Sequence, residues 1–216
     1  MHFSSNNITN IKQELKKIIT TNCLPKIICV SKTFEISKIL PLIEYGAKDF
    51  GENKVQEAFD KWQLIKKEKP EINLHLIGKL QSNKVKKAVQ LFDYIHSLDN
   101  ERLADKIYKE QKIQNKKIKL FIQVNIGDEP QKSGVRVENL KNFYETCKEY
   151  HLEIIGLMCI PPNNDNTTLY FKQMKQLKEN LGLRELSMGM SKDYLDATKN
   201  GATFIRIGSK IFGNRV

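Results

Sequence analysis

The sequence has few of the residues that indicate metal, redox or membrane chemistry. It contains 4 cysteines and 4 histidines in 216 residues, and neither type occurs in metal-ligand spacing or in a Cys-x-x-Cys pair. No apolar run approaches the length of a membrane span, and the polar start of the chain does not resemble a signal peptide. We therefore expect a cytoplasmic protein without a metal site or a membrane partner, and with reduced cysteines that serve in packing.

Arginine is also scarce, although the chain is basic. The formal net charge is +11, with 36 lysines and arginines against 25 acidic residues, and only Arg102, Arg136, Arg184, Arg206 and Arg215 are arginine. A positive charge of this size can indicate a polyanionic partner, because phosphate contacts dominate non-specific nucleic-acid binding. Here the lysines are spread over every predicted helix, and no groove-reading or base-stacking motif accompanies them. We expect no nucleic-acid partner.

The order of the predicted elements indicates one α/β domain over residues 1–216. A helix is predicted near 5–20, where it closes one end of the fold, and about eight strand–helix units follow between 26 and 213. Strict alternation favours parallel strands with right-handed crossovers, and eight units close a (β/α)8 TIM barrel. An open doubly wound sheet is the alternative, but its Gly-x-Gly-x-x-Gly motif is missing after the first strand.

The pattern also predicts the bounds of the elements. Apolar and alternating runs predict strands at 26–32, 48–50, 73–78, 93–96, 118–126, 153–158, 184–188 and 203–207. Gly46 is predicted to end the helix after the first strand, and the polar run 163–166 is predicted to be a loop.

The first strand ends at a lysine. A short run rich in β-branched residues stops at Lys32, which is typical of a buried strand whose last residue enters a site. Functional sites of such barrels lie at the C-terminal ends of the strands. Lys32 is therefore the first candidate functional residue.

The turns after the last two strands combine glycine and serine. Gly189 and Ser191 follow the seventh strand, and Gly208 and Ser209 follow the eighth. Backbone N–H groups and hydroxyls in such turns can converge on an anion. Alternatively, Ser191 only caps its helix and Gly208 only makes a tight turn. Opposite a strand-end lysine, the two turns together favour a phosphorylated ligand.

A lysine amine near a phosphate cradle suggests a carbonyl ligand held as a Schiff base, and pyridoxal 5′-phosphate (PLP) combines an aldehyde with a phosphate. Seven motifs then resemble, in order, those of the pyridoxal phosphate homeostasis protein family, whose members are similar to the N-terminal barrel of alanine racemase. They are VSKT (30–33), FGEN (50–53), HLIGKLQSNK (75–84), NIGDEPQKSG (125–134), GLMCI (156–160), LSMGMS (186–191) and RIGSKIFG (206–213).

The resemblance covers nearly the whole chain and implies a cofactor site. It implies that Lys32 carries PLP as a Schiff base and that Arg206 faces the pyridine nitrogen. The residues implied to hold the phosphate are Ser191, Gly208 and Ser209, with the backbone near Met190. Asn53, His75 and Lys132 are implied to line the mouth around the ring. Cys29 and Leu74 depart from the usual alanine and tryptophan of the family, and both departures concern packing.

The resemblance implies a non-catalytic function, in which the protein holds PLP and supplies PLP-dependent apo-enzymes. A two-base racemase needs a second proton donor, which alanine racemase takes from a C-terminal domain that we do not expect here. A cationic Arg206 also disfavours protonation of the pyridine nitrogen. We therefore expect no catalytic residue and a monomer. A weak PLP-dependent amino-acid racemase and a basic polyanion-binding module are the alternatives.

Overall fold

Eight parallel strands form a closed barrel in the order of the sequence, which confirms the predicted TIM-barrel architecture. The computed structural model describes residues 2–19, 23–162 and 166–213. The strands are β1 Lys26–Val30, β2 Asp49–Glu52, β3 Asn73–Leu76, β4 Tyr94–Leu98, β5 Lys119–Val124, β6 Ile154–Cys159, β7 Glu185–Ser187 and β8 Phe204–Ile207. The predicted loop at 163–166 lies outside the described residues except for its last position.

Helices alternate with the strands and surround them. They are α1 Phe3–Ile18, α2 Ile36–Glu44, α3 Val55–Glu68, α4 Val85–Leu91, α5 Glu101–Gln114, α6 Leu140–Glu149, α7 Thr167–Asn180, α8 Tyr194–Lys199 and α9 Ser209–Phe212. Gly46 lies just beyond α2 with a φ of +93°, and its N–H bonds to the Ile43 carbonyl. This left-handed position confirms the predicted helix end, because glycine adopts positive φ without steric cost.

The second strand is longer than predicted. Gly51 and Glu52 pair with His75 and Leu76 of β3, so the strand continues past Phe50 to Glu52. Glycine and glutamate are unfavourable in strands, and their sequence pattern predicted a turn. Pairing on both sides of β2 outweighs that local preference, and it buries the Glu52 carboxylate completely.

The N-terminal helix does not close an end of the barrel as predicted. Ile8, Ile11 and Leu15 of α1 are buried, and the helix packs in the outer layer against α2, α8 and α9. The last helix, α9, has only four residues, so α1 covers apolar surface that a full-length helix would cover. An ion pair of 2.7 Å between Glu14 Oε2 and Lys210 Nζ joins α1 to α9.

Two apolar clusters lie on opposite faces of the strands. Cys29 belongs to the larger cluster between strands and helices, while its neighbour Ile28 belongs to a small cluster with Tyr94, Phe121 and Phe204. Successive strand residues point to opposite faces, so the small cluster lies inside the barrel. Three of the four cysteines are buried, and burial raises the pKa of the thiols of Cys29, Cys147 and Cys159 to about 12. They act as packing residues, as predicted.

Within the described ranges, none of the helices has the length and apolar character needed to cross a bilayer.

Candidate functional site

A cavity of about 650 Å³ opens at the C-terminal ends of the strands. Seven of the nine predicted site residues line it, namely Lys32, Asn53, Met190, Ser191, Arg206, Gly208 and Ser209. They come from the segments after β1, β2, β7 and β8 and from β8 itself. The barrel therefore brings together residues that are as far apart as positions 32 and 209 in the sequence.

The loop that carries Lys32 is held on both sides of the lysine. The Ser31 hydroxyl donates to Glu52 Oε1 at 2.7 Å, and the Ser31 carbonyl accepts from Lys61 Nζ at 3.0 Å. On the other side, the Thr33 N–H donates to Glu57 Oε1 at 2.6 Å, and Thr33 has a φ of +68°. A β-branched residue at positive φ is strained, so the surrounding contacts hold this turn in place. Lys32 is half-buried at the cavity.

Glu52 is the centre of the network behind that loop. Its Oε1 accepts from Ser31 Oγ, from Lys61 Nζ at 3.0 Å and from the Trp62 indole N–H at 2.9 Å. Glu52 is fully buried, and the Lys61 side chain is 10% exposed. A buried carboxylate is stable only when it is paired and hydrogen-bonded, and Oε1 meets this requirement with three donors, whereas the buried Oε2 has no hydrogen-bond partner among the described residues. Glu52 lies inside the FGEN motif, but the sequence predicts no role for it, because the predicted strand ends at Phe50.

The two glycine–serine turns meet at one side of the cavity. Ser191 Oγ accepts from the Lys210 backbone N–H at 3.4 Å, which joins the turn after β7 to the start of α9. The Met190 N–H donates to Asp193 Oδ1 at 2.6 Å. The alternative role of Ser191 as a helix cap is wrong, because Asp193 occupies the cap position and α8 begins at Tyr194. The chain needs one further turn after β7 before it can enter the helix.

Arg206 lies in β8 with its guanidinium at the cavity wall and is 4% exposed. Its Nη1 donates to Ser187 Oγ at 2.7 Å, and its Nη2 donates to the Cys159 carbonyl at 2.8 Å. Burial lowers the pKa of Arg206 from its usual value, but a guanidinium stays cationic at physiological pH. These two bonds fix the plane of the guanidinium against the barrel wall.

The segment after β3 approaches the backbone of Asn53 closely at Gly78. A Cβ at Gly78 would lie 2.4 Å from the Asn53 carbonyl oxygen, so only glycine fits there. We expect Gly78→Ala to displace the Asn53 backbone and to lower the free energy of unfolding by about 1–3 kcal/mol. Urea denaturation checks this, with Lys79→Ala at the exposed neighbouring position as control. Equal midpoints for the two variants would contradict it.

Two predicted residues do not line the cavity. His75 was predicted at the mouth, but the structure places it inside the barrel, fully buried, with Nε2 3.0 Å from Asp49 Oδ1. His75 is only one residue before the end of β3, but its ring is bonded to Asp49 at the start of β2 and therefore points away from the mouth. Lys132 lines a neighbouring pocket of about 380 Å³ that shares Asn53 with the cavity.

Several lining residues were not found from the sequence. Ile77, Ile160, Pro161, Thr167, Lys192 and Asp193 also line the cavity. These residues lie in the segments that follow the strands or, for Thr167, at the start of a helix. The paths of these segments depend on the closed barrel. Of these six, Ile77 and Ile160 lie inside the quoted motifs, as does Val30, which also lines the cavity.

The cavity wall carries more positive than negative charge. Among its described lining residues, Lys32, Lys192 and Arg206 are cationic and Asp193 is the one acidic residue. Serine hydroxyls and backbone groups of the two turns add uncharged partners. This donor set fits a ligand with an anionic group.

Two buried histidines lie beneath the cavity. His75 and His96 are fully buried and joined by a 2.9 Å contact between Nδ1 and Nε2. Desolvation lowers the pKa of His75, although Asp49 and Asp93 oppose the shift, with Lys26 adding to it. Desolvation also lowers the pKa of His96 well below its usual value, and His75, when it is protonated, and Arg206 act in the same direction. Both rings are therefore neutral at pH 7.

This pair predicts a pH dependence of stability. In the unfolded chain the two histidines take up protons near pH 6.5, whereas in the folded chain they stay neutral to lower pH. The free energy of unfolding therefore falls as the pH drops below about 6.5. Each histidine contributes at most ~1.4 kcal/mol per pH unit. Urea midpoints from pH 8 to 5.5 measure it, and His96→Gln is expected to reduce the slope. A midpoint that does not change between pH 6.5 and 5.5 would exclude this effect.

Comparisons with known proteins agree with this geometry. The family model described as alanine racemase, N-terminal domain, matches residues 5–216. The pyridoxal phosphate homeostasis protein of Aquifex aeolicus is 39% identical over 204 residues, which cover 90% of this chain and 88% of that protein. The protein of the same name from Haemophilus influenzae is 37% identical over 201 residues, which cover 88% of this chain and 85% of that protein.

A solved structure shows the same fold with a ligand. PipY of Synechococcus elongatus with PLP bound has a TM-score of 0.85 and is 32% identical, over 97% of this chain and 100% of that chain. The similarity in sequence and in structure extends over nearly the full length of both chains. The chain therefore belongs to the pyridoxal phosphate homeostasis protein family, as its motifs predicted.

Proposed function

We propose that this protein binds PLP in the 650 Å³ cavity, with Lys32 as the point of covalent attachment, and takes part in PLP homeostasis. The single observation that carries the proposal is the convergence of a clamped lysine, two glycine–serine turns and a buried arginine on one cavity. PLP supplies an aldehyde carbon that reacts with a primary amine. PLP bound to the relative PipY supports the same ligand here.

Each group of the cavity has a role in this proposal. Ser191, Gly208 and Ser209, together with the backbone near Met190, would hold the phosphate. Arg206 would hold the pyridine nitrogen, because a fixed, permanently charged donor keeps that nitrogen unprotonated. Asn53 would orient the ring, and Lys132 would act from the neighbouring pocket.

We propose that the protein is not a catalyst. A two-base racemase needs a second acid–base group opposite the lysine. The described residues that line the cavity include no tyrosine, histidine or cysteine. Asp193 is engaged with the Met190 N–H. An unprotonated pyridine nitrogen also weakens PLP as an electron acceptor. These features support storage of the cofactor and its delivery to PLP-dependent apo-enzymes by a cytoplasmic monomer.

The experiment is to add PLP to the protein, reduce the complex with borohydride and map the modified peptide by mass spectrometry. Reduction makes a lysine linkage permanent, so we expect a single modified site at Lys32. Modification spread over exposed lysines, in proportion to their accessibility, would overturn the proposal. Incubation of the loaded protein with L-alanine is expected to give no more D-alanine than free PLP. Inversion above that level would favour the racemase alternative.

A further inference from the structure

A continuous chain of hydrogen-bonding groups leads from Arg206 through the interior of the barrel. Arg206 Nη1 lies 2.7 Å from Ser187 Oγ, which lies 2.9 Å from His96 Nδ1. His96 Nε2 is 2.9 Å from His75 Nδ1, and His75 Nε2 is 3.0 Å from Asp49 Oδ1. Every step is within normal hydrogen-bond distance. The five side chains come from β8, β7, β4, β3 and β2.

The chain connects the two ends of the barrel. Arg206 borders the cavity at the C-terminal ends of the strands, whereas Asp49 is the first residue of β2 at the opposite end. Ser187, His96 and His75 between them are fully buried, and the Asp49 side chain is 17% exposed. A group at the cavity is thus linked to a carboxylate that reaches solvent at the other end.

The two ends of the chain fix its direction. A guanidinium can only donate and a carboxylate can only accept, so Arg206 donates to Ser187 and His75 Nε2 donates to Asp49. A neutral His75 then accepts at Nδ1 from His96 Nε2, and His96 Nδ1 accepts from the Ser187 hydroxyl. All four bonds point from Arg206 toward Asp49. Hydrogen bonds aligned in this way polarise one another and strengthen the chain.

Aromatic rings shield the chain from water. The His75 ring stacks on Tyr94 with centroids 4.3 Å apart, and the His96 ring stacks on Phe121 at the same distance. Phe204 lies against both histidines. Apolar residues usually fill the interior of such barrels, and buried polar groups are tolerated only when all of them are bonded. The network occupies space that packing alone would give to aliphatic side chains.

We propose that Asp49, His75, His96 and Ser187 are positioning residues for Arg206, which they hold at the cofactor cavity and connect to the opposite end of the barrel. The part that concerns the cofactor rests on the proposed function. Within the described residues, Arg206 makes no ion pair, so the aligned chain links its charge to the carboxylate of Asp49. Loss of Asp49 is therefore expected to change PLP binding from the far end of the barrel.

The arrangement also responds to the protonation of His75. A cationic His75 donates from both nitrogens, so His96 has to accept at Nε2 and donate from Nδ1 to Ser187. The Ser187 hydroxyl then no longer donates to His96. Its oxygen, which accepts from Arg206, is therefore less polarised. The charged groups that face the pair are Asp49, Asp93, Lys26 and Arg206.

The first test is a ¹⁵N NMR spectrum of the histidine-labelled, cofactor-free wild type at pH 7.5. We expect both buried rings, assigned with His75→Gln and His96→Gln, to carry their proton on Nε2. Either ring found with its proton on Nδ1, or found cationic, would overturn the proposed direction. The main result, which nitrogen carries the proton in each ring, comes from the wild type without PLP. The variants serve only to assign the signals.

The second test is a double-mutant cycle with Asp49→Ala and Ser187→Ala, measured by urea denaturation without PLP. Because the chain connects the two sites, we expect the double variant's folding constant to differ at least ~5-fold from the product of the single effects. Agreement within about twofold would mean that the two ends act independently, against the proposal. Glu153→Ala, at an exposed position beside the same end of the barrel, replaces Asp49→Ala in the control cycle.

The third test measures PLP affinity. We expect Asp49→Ala to bind PLP roughly three- to tenfold more weakly than wild type and Glu153→Ala, with Lys32 still the modified residue. Equal affinity of Asp49→Ala and wild type would overturn the link to the cofactor site. If wild type itself does not take up PLP, the proposed function fails. The NMR spectrum and the double-mutant cycle still decide whether the hydrogen-bonded chain from Arg206 to Asp49 exists.

Discussion

Replacing Lys32 by alanine is expected to abolish covalent attachment of PLP and to raise its apparent dissociation constant at least ~100-fold, about 2.7 kcal/mol. The loop holds this amine at the cavity through bonds to Ser31 and Thr33 on either side. The two glycine–serine turns are untouched by the change, so weak reversible binding is expected to remain.

Absorbance titration of the protein with PLP measures this effect. Lys38→Ala is the matched control, because Lys38 is an exposed lysine on the helix that follows the same loop. It is expected to bind PLP as the wild type does. A Lys32→Ala variant that still gives one reduced, modified lysine at wild-type affinity would show that another residue carries the cofactor.

Glu52→Ala is expected to cause the largest loss of stability, about 3–5 kcal/mol in the free energy of unfolding. The variant leaves the Lys61 ammonium, the Trp62 indole N–H and the Ser31 hydroxyl without the acceptor they share. Lys61 then keeps only the Ser31 carbonyl and the longer, half-exposed ion pair with Glu57, while the buried Trp62 and Ser31 donors lose their acceptor. The turn that carries Lys32 is also expected to loosen.

Urea denaturation of the cofactor-free protein checks the Glu52 prediction. Glu52→Gln keeps an acceptor in place of the carboxylate oxygen and is expected to fall between Glu52→Ala and the wild type. Glu57→Ala is the comparison for a half-buried carboxylate, with 30% of its side chain exposed, and is expected to cost less than about 1 kcal/mol. Equal losses for Glu52→Ala and Glu57→Ala would contradict a central role for Glu52.

The two predictions concern one structural unit. Lys61 contacts Glu52, Glu57 and the Ser31 carbonyl, so a single ammonium joins the strand β2, the helix α3 and the loop after β1. Residues outside the cavity wall thereby hold the backbone on both sides of Lys32. The PLP affinity of folded Glu52→Gln, compared with that of wild type, would show how strongly these contacts affect PLP binding.

The sequence by itself determined the barrel, the family and seven of the residues that line the cavity. Alternation of strands and helices required parallel strands, and the positions after β1, β7 and β8 required Lys32, Ser191 and Gly208 to meet at one end. These inferences succeed because they depend on strand direction alone, which the order of the elements specifies.

Tertiary structure alone decided what lies inside the barrel and behind the site. The sequence could not show that His75 points inward to Asp49 and His96, because a shift of one residue along a strand reverses the side that each residue faces. Nor could it show that Glu52 pairs with Lys61, or that α1 fills the outer layer. Such contacts join residues from separate elements, and they exist only once barrel closure has fixed the register between the strands.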